Sequence, residues 1–333
     1  MKTINHIQRV LISRTDSIGD VCLTLPICKA LKEKHPAIHL IFLGKAYTQA
    51  VIEACPYVDE FLDFSALERM NESVAVEKIR ALQLDAIIHV FPNKKVAKWA
   101  KKAEIPNRIG TSHRFFHWFT CNIRLNFTRK NSDLHESQLN FELLKPFGIG
   151  VPPFETIKTW ELLKPKIKLR TALTAYFSPQ RKVILHCKSQ GSALEWGLPN
   201  FMSLAIALAE QNIQVFFTGT EAEGEMFRPY LPKHEHIFDV SGQMSLAELL
   251  TFIQSCDVLV AASTGPLHLA GLLGTKAIGL FSSRRPIHPG RWQALGENSL
   301  ALVHDENCEK CNKGEICSCI EFISVEDVLE HCL

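Results

Sequence analysis

Two short runs set chemically useful residues at the ends of apolar stretches. The first is RTDSIGD (14–20), which follows RVLIS (9–13). A glycine beside two acids can cradle a phosphate, hold a metal or place a catalytic base. No other ligating cluster adjoins this turn, which disfavours a metal. Its single glycine is not the G-x-G-x-x-G of a dinucleotide site, and no strand in the chain is followed by one, which disfavours a dehydrogenase. A carboxylate within reach of an attacking hydroxyl can take its proton. Asp20 and Asp16 compete for that role, and the bland alternative for Asp20 is an N-cap before the turn at Val21.

The second run is STGPLH (263–268), inside DVLVAASTGPLHLAGLLG (257–274). Ser263 ends an apolar strand, Thr264 or Gly265 can cap a helix, Pro266 suits its first turn, and Gly274 can end it. Such a helix start aims N–H groups of Gly265 and Leu267 at an anion, with His268 in the first turn for a phosphate or sugar hydroxyl. A helix dipole offers about 0.3–2 kcal/mol to one negative charge. A diphosphate carries more charge, so cations should help. HCKSQGSALEWGLPNF (186–201) offers Lys188, Ser189 and Ser192, and Arg284 with Arg285 form a second cationic pair. In FFTGTEAEGE (216–225), Glu223 is either an acceptor for ribose hydroxyls or an ordinary first-turn helix acid.

The elements that must position these residues follow from hydropathy. Continuous runs rich in Val, Ile and Phe at 9–13, 38–44, 85–91, 182–187, 213–219, 257–263 and 275–282 predict strands buried on both faces of a parallel sheet. Helical patterns at 27–35, 201–211 and 246–256 alternate with them. The segment 145–160 holds three prolines and two glycines and is expected to link two α/β halves. The expected domains are therefore 1–155 and 156–333, with a cleft between them. The chain has 333 residues, 46% hydrophobic and 22% charged, with a formal net charge of +2. That composition excludes a disordered chain, and the charge is too small to imply nucleic acid. No signal peptide or membrane span is expected, and the placement read from the sequence is cytoplasmic.

These motifs together resemble one family. RVLISRTDSIGDVCLTLPICKALKEKHP, NRIG (107–110), HE (135–136), GSALEW (191–196), SLAELLTFIQSCDVLVAASTGPLHLAGLLGTKAIGLF (245–281) and a Cys-rich tail are similar, in order, to the ADP-heptose:lipopolysaccharide heptosyltransferases of glycosyltransferase family 9. The resemblance implies a GT-B fold, two Rossmann-like domains whose parallel sheets face a central cleft. It implies inverting, metal-independent transfer of a heptose from ADP-heptose to lipid A–core sugars at the cytoplasmic face of the inner membrane, by a monomer with no cofactor. It assigns the base to Asp20; with the turns read above, the donor candidates are Lys188, Ser189, Ser192, Glu223 and residues 263–268, and the acceptor candidates are Arg14, Asp16, Gly19, Lys98, Arg108 and Arg114. Two positions depart from the pattern: Ser263 stands where many members have an acid, and Leu194 where many have a cation. They leave open another nucleotide sugar, or a non-catalytic sugar-binding relative.

Residues 94–130 carry ten Lys or Arg against one acid, interleaved with Trp99, Phe115, Phe116, Trp118 and Phe119. An anionic glycolipid or a membrane interface fits such a surface, with nucleic acid and a solvated helix face as the competing readings. The tail, CEKCNKGEICSC, places Cys308, Cys311, Cys317 and Cys319 at C-x-x-C and C-x-C spacing. Four thiolates suit zinc, but the two pairs are closer than in typical zinc ribbons, so reduced thiols or an adventitious disulfide stand ahead of zinc. A helix at about 324–332, capped by Ser324, is expected to pack back on the first domain.

Overall fold

Each half of the chain builds its own six-stranded parallel sheet. The computed structural model describes all residues except 1–3, 5, 6, 130, 131, 190, 192 and 316. The chain divides into units 1–164 and 165–333. The boundary therefore falls after the expected linker: Phe154–Lys158 is helical, its Ile157 is buried, and both belong to the first unit.

The first sheet contains β1 (Arg9–Ser13), β2 (His39–Gly44), β3 (Glu60–Asp63), β4 (Ala86–His89), β5 (Asn107–Thr111) and β6 (Ile123–Leu125). Its order is β3-β2-β1-β4-β5-β6. The second contains β7 (Lys182–His186), β8 (Gln214–Phe217), β9 (Ile237–Asp239), β10 (Val258–Ala262), β11 (Lys276–Phe281) and β12 (Leu300–Val303), ordered β12-β11-β10-β7-β8-β9. Both are the doubly wound order of a dinucleotide fold, with the reversal beside the first strand of each unit. The central strands are apolar throughout because helices cover both of their faces. In the first unit Leu11, Ile41 and Ile87 pack with Phe64, Val96 and Trp99. In the second, Val183, Leu185, Val260 and Ile278 pack with Trp196, Phe201 and Phe227.

The helices that matter below are α1 (Ile18–Cys22), α2 (Lys94–Lys102), α3 (His117–Thr120), α4 (Glu136–Phe141), α5 (Leu198–Glu210), α6 (Glu221–Phe227), α7 (Gly265–Leu272), α8 (Glu309–Asn312) and α9 (Val325–Cys332). Ser324 caps α9 as expected, by accepting the Asp327 N–H. The buried residues of α9, Val328 and Cys332, lie in the core of the second unit.

No helix among the described residues is long and apolar enough to cross a membrane.

Candidate functional site

In the doubly wound order, ligands gather beyond the carboxyl ends of the strands that flank the reversal. In the first unit those are β1 and β4, where Ser13 stands opposite His89. In the second they are β7 and β10, where His186 stands opposite Ala261. RTDSIGD leaves β1 and STGPLH leaves β10, so both motifs lie at these positions.

After β1, the Arg14 N–H bonds the Leu43 carbonyl at 3.0 Å, and the side chain turns into the protein, 3% exposed. Three carboxylates surround its guanidinium. Nε meets Asp16 Oδ1 at 2.8 Å, Nη1 meets Glu136 Oε1 at 3.5 Å, and Nη2 donates to Asp20. Glu136, 1% exposed on α4, also accepts from Arg129 Nε at 2.9 Å, and Arg129 reaches Asn140 Oδ1 at 2.8 Å. Asp20 lies in the first turn of α1, where Ser17 is the cap residue and its hydroxyl donates to the Asp20 carboxylate. The capping position foreseen for Asp20 is thus occupied by Ser17. The Asp20 side chain keeps 18% exposure, so a reactant can reach it.

Among the described residues, these ion pairs join two arginines to three carboxylates. Burial pushes the Asp16 carboxyl up; Arg14 opposes this and the Asp20 charge adds to it, leaving Asp16 at about 6. For Arg14, burial opposes its charge, but Asp20, Asp16 and Glu136 outweigh that and raise it. The cluster can therefore take up one proton near neutrality.

The other residues expected at an acceptor site divide. Gly19 is buried within α1. Arg108 is committed to backbone: Nε donates to the Thr120 carbonyl at 2.7 Å and Nη1 to the Ile105 carbonyl. That removes its guanidinium as a ready anion ligand. Arg14, bonded to Asp20 and 3% exposed, is likewise not an exposed contact. Lys98 and Arg114 are exposed. The basic stretch also divides. Trp99 is 2% exposed in the core, and the lysines of α2 form a solvated face where Lys95 pairs with Glu68 and Lys102 with Glu72. Phe115, Trp118 and Phe119, by contrast, are 80%, 56% and 60% exposed at and before α3.

In the second unit, Thr264 caps α7 from extended backbone without a side-chain cap bond, and its Oγ1 is buried with no hydrogen-bond partner. The first turn of a helix leaves its N–H groups without intrahelical acceptors. An acceptor-rich ligand would satisfy both. His268 is 3% exposed in that turn. Ser263 is half-buried beside it. Leu267, wholly buried, can offer only its N–H, and Pro266 has none.

The turn after β7 is closed by Glu195, a residue that the sequence reading missed. Its carboxylate pairs with Lys188 and accepts the Ser189 N–H at 2.9 Å and hydroxyl at 3.0 Å. Burial opposes this charge, but Lys188 and Ser189 hold Glu195 below its ordinary value. Lys188 is therefore already neutralised. Ser192 lies outside the described residues. Glu223 forms a capping box on α6: Oε2 accepts the Thr220 N–H at 2.7 Å and hydroxyl at 2.9 Å. After β11, whose Leu280 pairs with Ala262 of β10, Arg285 and His288 line a cavity of about 240 Å³.

Glu136 lay in the HE motif, Glu195 in GSALEW and Arg129 in the basic stretch, but the partner that fixes Glu136, Arg14, is 122 residues away, whereas Glu195 binds Lys188 and Ser189 close by in sequence.

The family model described as Glycosyltransferase family 9 (heptosyltransferase) matches residues 75–319. A lipopolysaccharide core heptosyltransferase of Haemophilus influenzae, OpsX, is 22% identical over 91% of this chain and 86% of its own. Among solved structures, a family 9 glycosyl transferase from Veillonella parvula superposes with a TM-score of 0.81 at 18% identity, covering 99% of this chain and 98% of that one. The E. coli heptosyltransferase WaaC with ADP gives 0.73 at 16% identity, covering 97% and 98%.

Proposed function

This chain belongs to glycosyltransferase family 9, and on that premise we propose that it transfers a heptose, with inversion, from ADP-heptose to a lipopolysaccharide-core acceptor. The observation that carries the reading is Asp20, held by buried Arg14 and Ser17 yet accessible. As the acceptor oxygen bonds the anomeric carbon, the bond from that carbon to the diphosphate oxygen breaks and the nucleotide leaves with the electron pair. The acceptor proton passes to Asp20. The neighbouring Asp16, Arg14 and Glu136 absorb the change in charge.

On the donor side, the N–H groups of Gly265 and Leu267, Thr264 Oγ1 and His268 face the diphosphate. Glu223 uses one oxygen in its cap, and a carboxylate has about four acceptor positions, so it can still receive ribose hydroxyls. Lys188 is paired with Glu195, and Arg285, which lines the cavity after β11, is a second cation on the donor side. Ser189 and Ser263 complete the turn. On the acceptor side, Lys98, Arg114 and the exposed aromatics before and in α3 suit an anionic glycolipid at the cytoplasmic membrane face.

The test is Asp20→Ala assayed with ADP-heptose and a lipid A–core acceptor. Turnover should fall about 10²–10⁴-fold, while calorimetry shows ADP binding within a factor of two or three of the unsubstituted protein. Unchanged turnover removes Asp20 as the base. A second arm screens ADP, GDP, UDP and dTDP sugars by thermal shift, and stabilisation by another nucleotide in place of ADP would reassign the donor.

A further inference from the structure

Between β12 and α9 the chain has almost nothing to hold it. Of the described residues in 304–324, only Cys311, Cys319, Ile320 and Ile323 are buried. The regular structure there is α8, four residues long, and a single 3-10 turn at Cys319–Phe322. Chain segments this poor in core are ordinarily fixed by a cross-link or a metal.

The four cysteines of this segment converge. The sulfurs of Cys308, Cys311, Cys317 and Cys319 all lie within 4.8 Å of one another. Their close approaches, Cys311 to Cys319 at 3.4 Å and Cys308 to Cys317 at 3.6 Å, cross between the two motifs, and none of the four is in a disulfide. A zinc ion with four bonds of about 2.3 Å places its sulfurs about 3.8 Å apart. Backbone donors are already aimed at the sulfurs, as thiolates require. The Cys319 N–H meets Cys317 Sγ at 3.3 Å, and Cys308, capping α8, faces the N–H groups of Lys310 and Cys311.

We propose that Cys308, Cys311, Cys317 and Cys319 form a closed tetrathiolate site for one structural Zn²⁺. The short separation of the two pairs, which counted against zinc in the sequence, is accommodated by α8. Its single turn folds C-x-x-C back on itself, and the 3-10 turn brings C-x-C over it. Four thiolates leave no open position, so the ion supplies stability and not catalysis.

The site also fixes what lies on either side of it. Asn312, next to Cys311, lines the cavity that holds Arg285 and His288. Beyond Cys319, the Glu321 carbonyl accepts from Asn200 at 2.9 Å and the Ile323 carbonyl accepts from Trp196 Nε1 at 2.9 Å. The metal thus holds the segment that closes over the turn after β7.

The experiment is elemental analysis of the full chain purified under reducing conditions, with Cys311→Ser/Cys319→Ser and Cys256→Ser beside it. Cys256 is a buried thiol outside the cluster. About one equivalent of zinc is expected in the unsubstituted protein and in Cys256→Ser, and less than a tenth in the double variant. A second measurement does not depend on the variant folding. The unsubstituted protein, stripped by chelator, should unfold at lower temperature and bind Co²⁺ one to one, with the intense visible bands of a tetrahedral thiolate complex. Zinc below a tenth of an equivalent with no cobalt bands, one equivalent of iron in its place, or a disulfide among the four in the unreduced chain would each overturn the assignment.

Discussion

Arg14 shares one positive charge among three carboxylates, and the proton balance of this cluster follows from that. Because burial holds Asp16 at about 6, the first proton that the cluster takes on acidification enters near that pH. Asp20 lies beside Asp16 on Arg14, so kcat/KM should show an acid limb. Asp16→Asn removes the like charge beside Asp20 and should move the limb to lower pH, as a pH–rate profile will show. An unmoved limb assigns it to another group. The sign for stability is opposite to that of an ordinary ion-paired acid. A carboxyl raised in the fold contributes most when protonated, below its unfolded value near 4, and that contribution is lost as pH rises through about 6. At this scale the sequence singled out candidates by a local signal: Asp20 beside its glycine, and Thr264 and His268 around a proline, all of which lie in turns that leave β1 or β10. It could not disclose Glu136, whose partner Arg14 lies 122 residues away; Glu195 binds Lys188 and Ser189, only seven and six residues before it, and was overlooked.

Among the elements, legibility followed burial. The central strands β1, β2, β4, β7, β8, β10 and β11 stand out as apolar runs because both of their faces are covered. The outer strands β3, β6 and β9, partly exposed, carry mixed sequences such as EFLD and IFD and were not foreseen, and β12, LALV, is apolar but only four residues long and was also missed. Nor was β5 foreseen, which contains the NRIG motif. In α2 the basic residues and Trp99 occupy opposite faces, a separation that charge counting over 94–130 could not resolve. Gly271 of α7 shows a further kind of constraint: a Cβ there would run into the Leu295 carbonyl, so the helix after STGPLH is seated against backbone. The exposed aromatics are the part of the basic stretch left for a partner, and Arg124 lies 4.8 Å over the Trp118 ring. Replacing Phe115 and Phe119 with serine should lower co-sedimentation with anionic phospholipid vesicles several-fold. Activity on a delipidated acceptor should hold within about twofold. Equal sedimentation would leave the aromatics without a lipid role.

On the scale of the whole molecule, two sheets of one topology carry different chemistry on their carboxyl edges: a cluster of arginines and carboxylates in the first unit, and helix N–H groups with a buried hydroxyl in the second. Each unit has its own core, so a ligand of one should leave its imprint there. Saturating ADP at about 100 times its Kd adds about 2.7 kcal/mol to whatever opening it opposes. Hydrogen exchange should slow at 187–199, 218–224 and 263–270 and remain unchanged at 14–22. Protection confined to 14–22 would move the donor to the first unit. The alternation of strand and helix announced both sheets. The boundary between the units did not announce itself, because the Pro- and Gly-rich segment expected to link them folds onto the first.

Trp196 is fully buried, with its indole N–H bonded to the Ile323 carbonyl, whereas Trp118 is 56% exposed. Its ring reports optically on the segment that the four cysteines gather. In a chain where Trp118 is replaced by phenylalanine, emission should be weighted toward short wavelengths. Loosening of 308–324 would wet the indole and shift that emission to the red before either sheet unfolds.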